Sequence, residues 1–316
     1  MNPRIFTTPF CLLLAFTFCS SCQGGDPSPA TLSSARKNFE TKLLPQKTEK
    51  APAEVAPPKL FRTVKYPVAN GELAAYLTPD PLDGKKSPAI IWITGGDCNS
   101  IGNVWSADPR NNDQTAAAYR QAGILMMFPS LRGGNDNPGV KEGFLGEVDD
   151  IIAAAKYLRN QPYVDTNRVY LGGHSTGGTL ALLVSECSPL FRAVFAFGPV
   201  DDVAGYGADS GFLPFDLQNR REIRLRSPGY WLASIQSPTW ILEGASGRAN
   251  ISSLRAMARV SRNPKVRFIE IKGADHFATL APMNELISRH ILQDTNTLCS
   301  IALSPNEANR YYAEHP

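Results

Sequence analysis

The chain has 316 residues, of which 43% are hydrophobic and 19% charged, as in an ordinary globular protein with a sizeable core. Its formal net charge is only +3 and it has no long basic run with interleaved aromatic residues, which argues against a nucleic-acid partner. Length alone permits one large domain or two small ones.

The amino terminus has the pattern of an export signal. Arg4 precedes an apolar run from Phe10 to Phe18 that is too short to span a bilayer as a helix but fits a secretory signal. The run ends in "FCSSC", which resembles a bacterial lipobox with Cys22 as the lipidated residue, although Cys19 stands where an aliphatic residue is usual. We therefore predict a signal peptide of the lipoprotein type over residues 1–22, with simple export as the alternative. The expected location is the cell envelope, with the chain either anchored by lipid to a bacterial membrane or periplasmic or secreted.

The next segment, residues 23–59, is rich in Pro, Ser, Ala, Lys and Glu and has few large apolar residues. Such a composition buries little surface and predicts a disordered tether, within which a short helix around Ser33 to Leu44 is an option.

From residue 60 to residue 316 the pattern predicts one α/β domain. "LFRTVKYPVANGELAAYL" alternates around a turn and predicts a β-hairpin. After it, short apolar runs such as "PAIIWITGG" and "ILMMFPSLRGG" alternate with helical patterns such as "GEVDDIIAAAKYLRNQ". This alternation predicts a mostly parallel sheet with helices on both faces. Residues 203–235 interrupt the rhythm and predict a short cap whose arginines form a solvated helix face or a basic rim.

Three of the six cysteines lie beyond the amino-terminal segment: Cys98, Cys187 and Cys299. An odd number leaves at least one thiol unpaired, while a single disulfide such as Cys98 to Cys187 stays open. Their spacings match no metal site, and we expect neither a metal nor a cofactor.

The stretch "LGGHSTGGTL" contains Gly173, Ser175 and Gly177 in the pattern G-x-S-x-G, directly after an apolar strand and at the start of a helix. A serine on such a turn has an exposed hydroxyl, and the first amides of the helix can bind a developing oxyanion. A serine hydroxyl also needs a base. Of the four histidines only His276 follows the last predicted strand, in "KGADHFATL", so we predict that it takes the proton from Ser175. His174 is expected to have a packing role.

Residues 85–292 resemble the catalytic α/β-hydrolase domain of the prolyl oligopeptidase family and related exported esterases. The resemblance lies in "FPSLRGGNDNPG", in the run from "GEVDDIIAAAKYLRNQ" to the serine motif, and in "RSPGYWLASIQSPTWIL". It implies the α/β-hydrolase fold and a serine hydrolase. Only about 60 residues precede the domain, so we expect no amino-terminal β-propeller of the kind that the large peptidases carry.

The resemblance also implies an oxyanion hole made of backbone amides. One amide would be that of Thr176, and the other that of Gly96 or Asp97, in the loop where the family often has His-Gly-Gly. A carboxylate facing the hole would oppose the oxyanion, so we expect the side chain of Asp97 to point away.

The acid that orients the base is not fixed by the sequence. The family places an aspartate in a pattern like Gly-x-x-Asp, and here Gly244 is followed by Ala, Ser and Gly. Glu243, at the end of its strand, and Asp202, at the end of the preceding strand where some lipases carry their acid, are the two candidates; a site without an acid is the third reading. Asp275 is too close to His276 in the chain to bend back to it.

These observations predict a serine hydrolase that cleaves carboxylic esters, or amides, through an acyl-enzyme intermediate. A peptidase of the prolyl oligopeptidase type is the enzymatic alternative, and a non-catalytic binding protein on the same fold is the other. The expected partner is a small-molecule or peptide substrate, with membrane anchorage through Cys22.

Overall fold

The computed structural model describes residues 1, 31–47, 50–207, 212–247 and 249–316. Residues 2–22 of the predicted signal peptide, with Cys22, and residues 23–30 of the predicted tether lie outside these residues. No helix within the described ranges combines the length and the apolar character needed to cross a membrane.

One eight-stranded sheet organises the chain. The strands are β1 (Arg62–Val68), β2 (Gly71–Leu77), β3 (Ser87–Ile93), β4 (Leu125–Pro129), β5 (Val164–His174), β6 (Val194–Phe197), β7 (Thr239–Gly244) and β8 (Val266–Ile271). Their order in the sheet is β1-β2-β4-β3-β5-β6-β7-β8. The predicted hairpin is β1 with β2, which is antiparallel, as is β2 with β4, and all later pairs are parallel.

Helices cover both faces of the sheet. They are α1 (Leu32–Arg36), α2 (Ala117–Gln121), α3 (Glu147–Arg159), α4 (Thr176–Cys187), α5 (Arg220–Arg226), α6 (Ile251–Val260), α7 (Leu280–Gln293) and α8 (Pro305–Glu314). Side chains alternate along β3, so that Ile91 and Ile93 pack towards α3 and α4 while Ile90 and Trp92 pack towards α7. A strand buried on both faces explains the unbroken apolar runs in the sequence.

The prediction of a disordered tether over residues 23–59 is wrong for residues 31–47. Thr31 caps α1 in a capping box, and Leu32 of that helix is fully buried. The Arg36 guanidinium donates to the carbonyls of Phe144, Leu145 and Leu225 at 2.9, 3.1 and 2.7 Å. A few well-placed side chains therefore anchor a segment whose average composition suggested disorder. The helix is also shorter than the one considered over Ser33 to Leu44.

The insert after β6 packs against the amino-terminal segment. Its described residues contain α5 and the short 3-10 helices Val203–Tyr206, Pro228–Tyr230 and Leu232–Ser234. Leu43 of the amino-terminal segment pairs with Phe215 in an antiparallel bridge. Arg226 is fully buried and pairs with Glu222, so this arginine belongs neither to a solvated face nor to a basic rim.

Candidate active site

Ser175 lies on the sharp turn between β5 and α4. Its backbone has φ 54° and ψ −114°, a conformation that costs a non-glycine residue of order 1–3 kcal/mol and that is common at functional sites. The turn is held by hydrogen bonds from Ser175 N to the Phe197 carbonyl, 2.7 Å, and from Thr179 N to the Ser175 carbonyl, 2.9 Å. The strain is therefore offset by a fixed backbone that presents the hydroxyl at the carboxyl edge of the sheet.

The glycines of the motif are required by close packing around this turn. A Cβ on Gly173 would lie 2.5 Å from the Gly177 carbonyl oxygen, and one on Gly177 would lie 2.7 Å from the Thr94 oxygen. The helix that begins at Thr176 therefore touches the ends of β3 and β5, which no larger residue would permit.

His276 and Glu243 are brought together by the ends of the last two strands. Glu243 is the fifth residue of β7, and His276 follows β8 on a loop. The Glu243 carboxylate, 1% exposed, has its Oε2 atom 3.0 Å from Nδ1 of His276. It also accepts from Gly244 N at 2.7 Å and from Asn250 N at 3.2 Å, so both oxygens are fixed. A proton held at Nδ1 leaves Nε2 free to act as the acceptor.

The alternative acid, Asp202, points elsewhere. Its carboxylate accepts from Ala204 N at 2.9 Å, from Ser227 Oγ at 3.2 Å and from the Tyr230 hydroxyl at 3.2 Å. It caps the 3-10 helix that begins at Val203 and ties that turn to the end of α5. The geometry therefore pairs the histidine with Glu243 and corrects the reading in which Asp202 orients it.

The serine turn and the histidine loop meet through His174. Its ring centroid is 4.5 Å from that of His276, and its Nε2 is 3.1 Å from the His276 carbonyl. Among the described residues no hydrogen bond joins Ser175 Oγ to the imidazole of His276. Such bonds are often long in enzymes without substrate and tighten in the complex.

Gln114 extends this contact to the loop after β3. Its amide nitrogen lies 3.0 Å from Nδ1 of His174, and its carbonyl oxygen accepts from Gly95 N at 3.2 Å. Burial, with a smaller contribution from nearby His276, lowers the pKa of His174 to about 3, so the ring is neutral and donates from Nε2. Sequence reasoning missed Gln114, which lies in a loop before α2 and carries no recognisable pattern.

The predicted oxyanion donors are the amide of Thr176 and that of either Gly96 or Asp97. Thr176 is the first residue of α4, so its N–H has no partner within the helix. No hydrogen bond among the described residues uses the N–H of Gly96 or of Asp97. The loop is held to the helix by a bond from Thr176 Oγ1 to the Gly96 carbonyl, 2.9 Å.

The Asp97 carboxylate is held by its own partners. It accepts from Lys141 Nζ at 2.7 Å, from Ser100 Oγ at 2.8 Å and from Asn99 N at 3.2 Å. Burial alone would raise the pKa of Asp97, but the hydrogen bonds from Lys141 and Ser100 and the lysine charge lower it. The carboxylate is thus charged and paired with Lys141.

A groove adjoins Asp97 on this side of the site. It has a volume of about 450 Å³, and its walls come from the amino-terminal segment, the oxyanion loop and the cap. Its lining includes Leu44, Gln46, Asp97, Lys141 and Leu213. The anchored amino-terminal segment therefore forms part of the surroundings of the site.

Two further questions from the sequence concern the cysteines and a metal site. Cys98, Cys187 and Cys299 are all unpaired, so the Cys98–Cys187 disulfide is not formed. Within the described ranges no group of three or more His, Cys, Asp or Glu could hold a metal ion.

The chain is similar in sequence to known peptidases. Residues 112–223 match the model of the prolyl oligopeptidase family. The chain is 23% identical over 248 residues to the acylamino-acid-releasing enzyme of Rattus norvegicus, a match that covers 70% of this chain and 32% of that enzyme. The chain thus spans about a third of the length of this relative.

Solved structures show the same fold. The acylaminoacyl peptidase of Pyrococcus horikoshii matches with a TM-score of 0.61 at 16% identity, over 78% of this chain and 43% of that one. A puromycin-hydrolyzing peptidase of Mycobacterium tuberculosis matches with a TM-score of 0.62 at 19% identity, over 74% and 40%. The α/β-hydrolase fold and the resemblance to the prolyl oligopeptidase family are confirmed. The family match includes Ser175 and ends before Glu243 and His276.

Proposed function

We propose that this protein is a serine peptidase that hydrolyses amide bonds of peptides through an acyl-enzyme on Ser175. His276 is the general base and acid, and Glu243 orients its imidazole. The observation that carries the proposal is the 3.0 Å contact between the buried Glu243 carboxylate and Nδ1 of His276, beside the strained turn of Ser175. This contact supports Glu243 as the acid that the sequence left open.

The proposed reaction follows from the roles of these groups. His276 Nε2 takes the proton of Ser175 Oγ as that oxygen bonds to the substrate carbonyl carbon. The carbonyl oxygen becomes an oxyanion that accepts from the N–H of Thr176 and from that of Gly96 or Asp97. The imidazolium, stabilised by Glu243, then gives its proton to the leaving amine as the C–N bond breaks. Water activated by His276 hydrolyses the acyl-enzyme, and Ser175 recovers its proton.

The preference for amides rests on the comparisons. The sequence alone favours carboxylic esters, whereas the matched family and the similar structures are named as peptidases. The catalytic groups would act on an ester carbonyl in the same way, so ester turnover is expected as an accompanying activity.

Labelling by a fluorophosphonate probe tests whether the serine is activated. We expect labelling of the wild-type protein, none of Ser175→Ala, and full labelling of Ser253→Ala, whose hydroxyl bonds to Asp201 and to no proposed catalytic group. Absent labelling of the folded wild-type protein would favour the non-catalytic binding protein. Aminoacyl anilides and short p-nitrophenyl esters then separate the activities, and turnover of esters without any anilide would reverse the preference for amides.

We also propose that the protein is exported and anchored by lipid at Cys22. The support is the apolar run that ends in "FCSSC" at the amino terminus. Growth with radiolabelled palmitate should label the wild-type protein and not Cys22→Ala, with Cys98→Ala as the matched control. Equal labelling of all three would contradict the assignment of Cys22.

A further inference from the structure

An exposed aromatic ring lies against the proposed catalytic histidine. Phe277 is 41% exposed, although most phenylalanines of the described chain belong to its buried core. Its ring meets that of His276 edge to face, with centroids 5.0 Å apart and an angle of 76° between the planes. It also lies 5.4 Å from the ring of His174. An apolar ring left in water beside a reactive imidazole is a candidate surface for substrate.

The backbone holds this ring in one place. Oδ1 of Asp275 accepts from the N–H of Phe277 at 2.9 Å and from that of Ala278 at 2.8 Å. Leu280 N donates to the Phe277 carbonyl at 3.0 Å, which links the turn to the start of α7. Asp275 therefore shapes the turn that presents Phe277, and the ring is preorganised for contact with a ligand.

The chemistry of the site says which part of a substrate would reach the ring. In the proposed mechanism the oxyanion donors bind the carbonyl oxygen, while the imidazole gives its proton to the leaving group. The leaving group must therefore approach His276. Phe277, whose ring is in edge-to-face contact with that imidazole, therefore lies beside the leaving group as well.

We propose that Phe277 is the apolar wall of the leaving-group subsite and that it selects substrates with an aromatic or large aliphatic leaving group. For a peptide, this is the residue that follows the scissile bond. The inference rests on the proposed function and narrows its substrate class. Contact between two aromatic groups corresponds to a preference of about three- to tenfold.

Two acetate esters test the proposal without changing the acyl group. Benzyl acetate and 2-methoxyethyl acetate release alcohols of similar acidity, so a difference in kcat/KM reports contacts of the leaving group. We expect the wild-type protein to prefer the benzyl ester, Phe277→Ala to lose about three- to tenfold of that preference, and Phe277→Leu to keep part of it. Leu292→Ala, which removes an equally exposed apolar side chain on α7, should leave the preference unchanged.

Partitioning of the acyl-enzyme gives a second readout. With p-nitrophenyl acetate as the acyl donor, phenylalaninamide and asparaginamide compete with water for the acetyl group from the leaving-group side. We expect phenylalaninamide to be the better acceptor in the wild-type protein, and the two to become nearly equal in Phe277→Ala.

The outcomes separate this inference from the proposed function. A protein that turns over neither ester and resists the fluorophosphonate probe would contradict the proposed function. A protein that turns over both esters, with the same preference in the wild type and in Phe277→Ala, would overturn only the role of Phe277. Equal losses on both esters would mean that the ring merely supports His276.

Discussion

Oε2 of Glu243, near the end of β7, lies 3.0 Å from Nδ1 of His276. The pattern of the prolyl oligopeptidase family instead places an aspartate several residues further along the chain. The longer side chain reaches the imidazole directly from β7. In the proposed mechanism Glu243 takes the place of that aspartate, and its two oxygens also accept from Gly244 N and Asn250 N. A fully bonded carboxylate fixes both the tautomer and the orientation of the ring.

Removal of the Glu243 charge should therefore impair turnover strongly. We expect Glu243→Gln to lower kcat by about 10³- to 10⁴-fold, because the amide favours the wrong tautomer and does not stabilise the imidazolium. Asp202→Asn is the matched control, since Asp202 binds Ser227 and Tyr230 instead. Steady-state kinetics on a p-nitrophenyl ester measure both variants, and a larger loss in Asp202→Asn than in Glu243→Gln would refute the assignment.

The neutral state of His174 should make stability depend on pH. Its folded pKa, about 3, lies below the ordinary value near 6.5, so the unfolded chain binds a proton that the folded chain excludes. The contribution is complete above about pH 6.5 and is lost as the pH falls towards 3. The slope approaches about 1.4 kcal/mol per pH unit within this window.

Urea unfolding of the wild-type protein and of His174→Gln, between pH 4 and pH 7.5, measures this effect. Glutamine does not titrate, so the variant should show a shallower fall in the free energy of unfolding, while the carboxylates contribute equally to both proteins. Parallel curves for the two would mean that His174 binds its proton as readily in the folded chain as in the unfolded chain.

The anchored amino-terminal segment should contribute to global stability. Leu32 is fully buried against the helical face of the domain, and we expect Leu32→Ala to lower the free energy of unfolding by about 2–4 kcal/mol. Leu44, in the same segment, is 49% exposed, so Leu44→Ala should cost less than about 0.5 kcal/mol. Chemical denaturation compares the two. Equal and small effects would restore the view of this segment as a loose tether.

A feature of the fold or the site can be predicted from the sequence when the residues that form it are close together in the chain. The turn of Ser175 was predictable because its glycines, serine and following helix are consecutive in the chain. The acid was not, because Glu243 lies at the end of β7 and Asp202 follows the neighbouring β6, and only the tertiary structure decides which one reaches His276. Gln114 joins Gly95 and His174 through tertiary contacts alone. Average composition did not predict that residues 31–47 are ordered, because their folded structure depends on a few individual side chains, chiefly Leu32 and Arg36.

Gly198 should be essential for the pair formed by His276 and Glu243. It has φ +56°, and an added Cβ would lie 2.6 Å from Oε2 of Glu243 and 2.7 Å from Nδ1 of His276. We expect Gly198→Ala to displace the imidazole and to lower kcat by about a hundredfold, the effect of a misplacement of about 1 Å. Gly84 is the matched control, because it also has a positive φ, +71°, but no atom lies within 4 Å of an added Cβ. Gly84→Ala should therefore cost about 1 kcal/mol of stability while kcat stays unchanged. Thermal unfolding and turnover measured on both variants separate backbone strain from the clash, and full activity of a folded Gly198→Ala protein would show that the pair tolerates displacement.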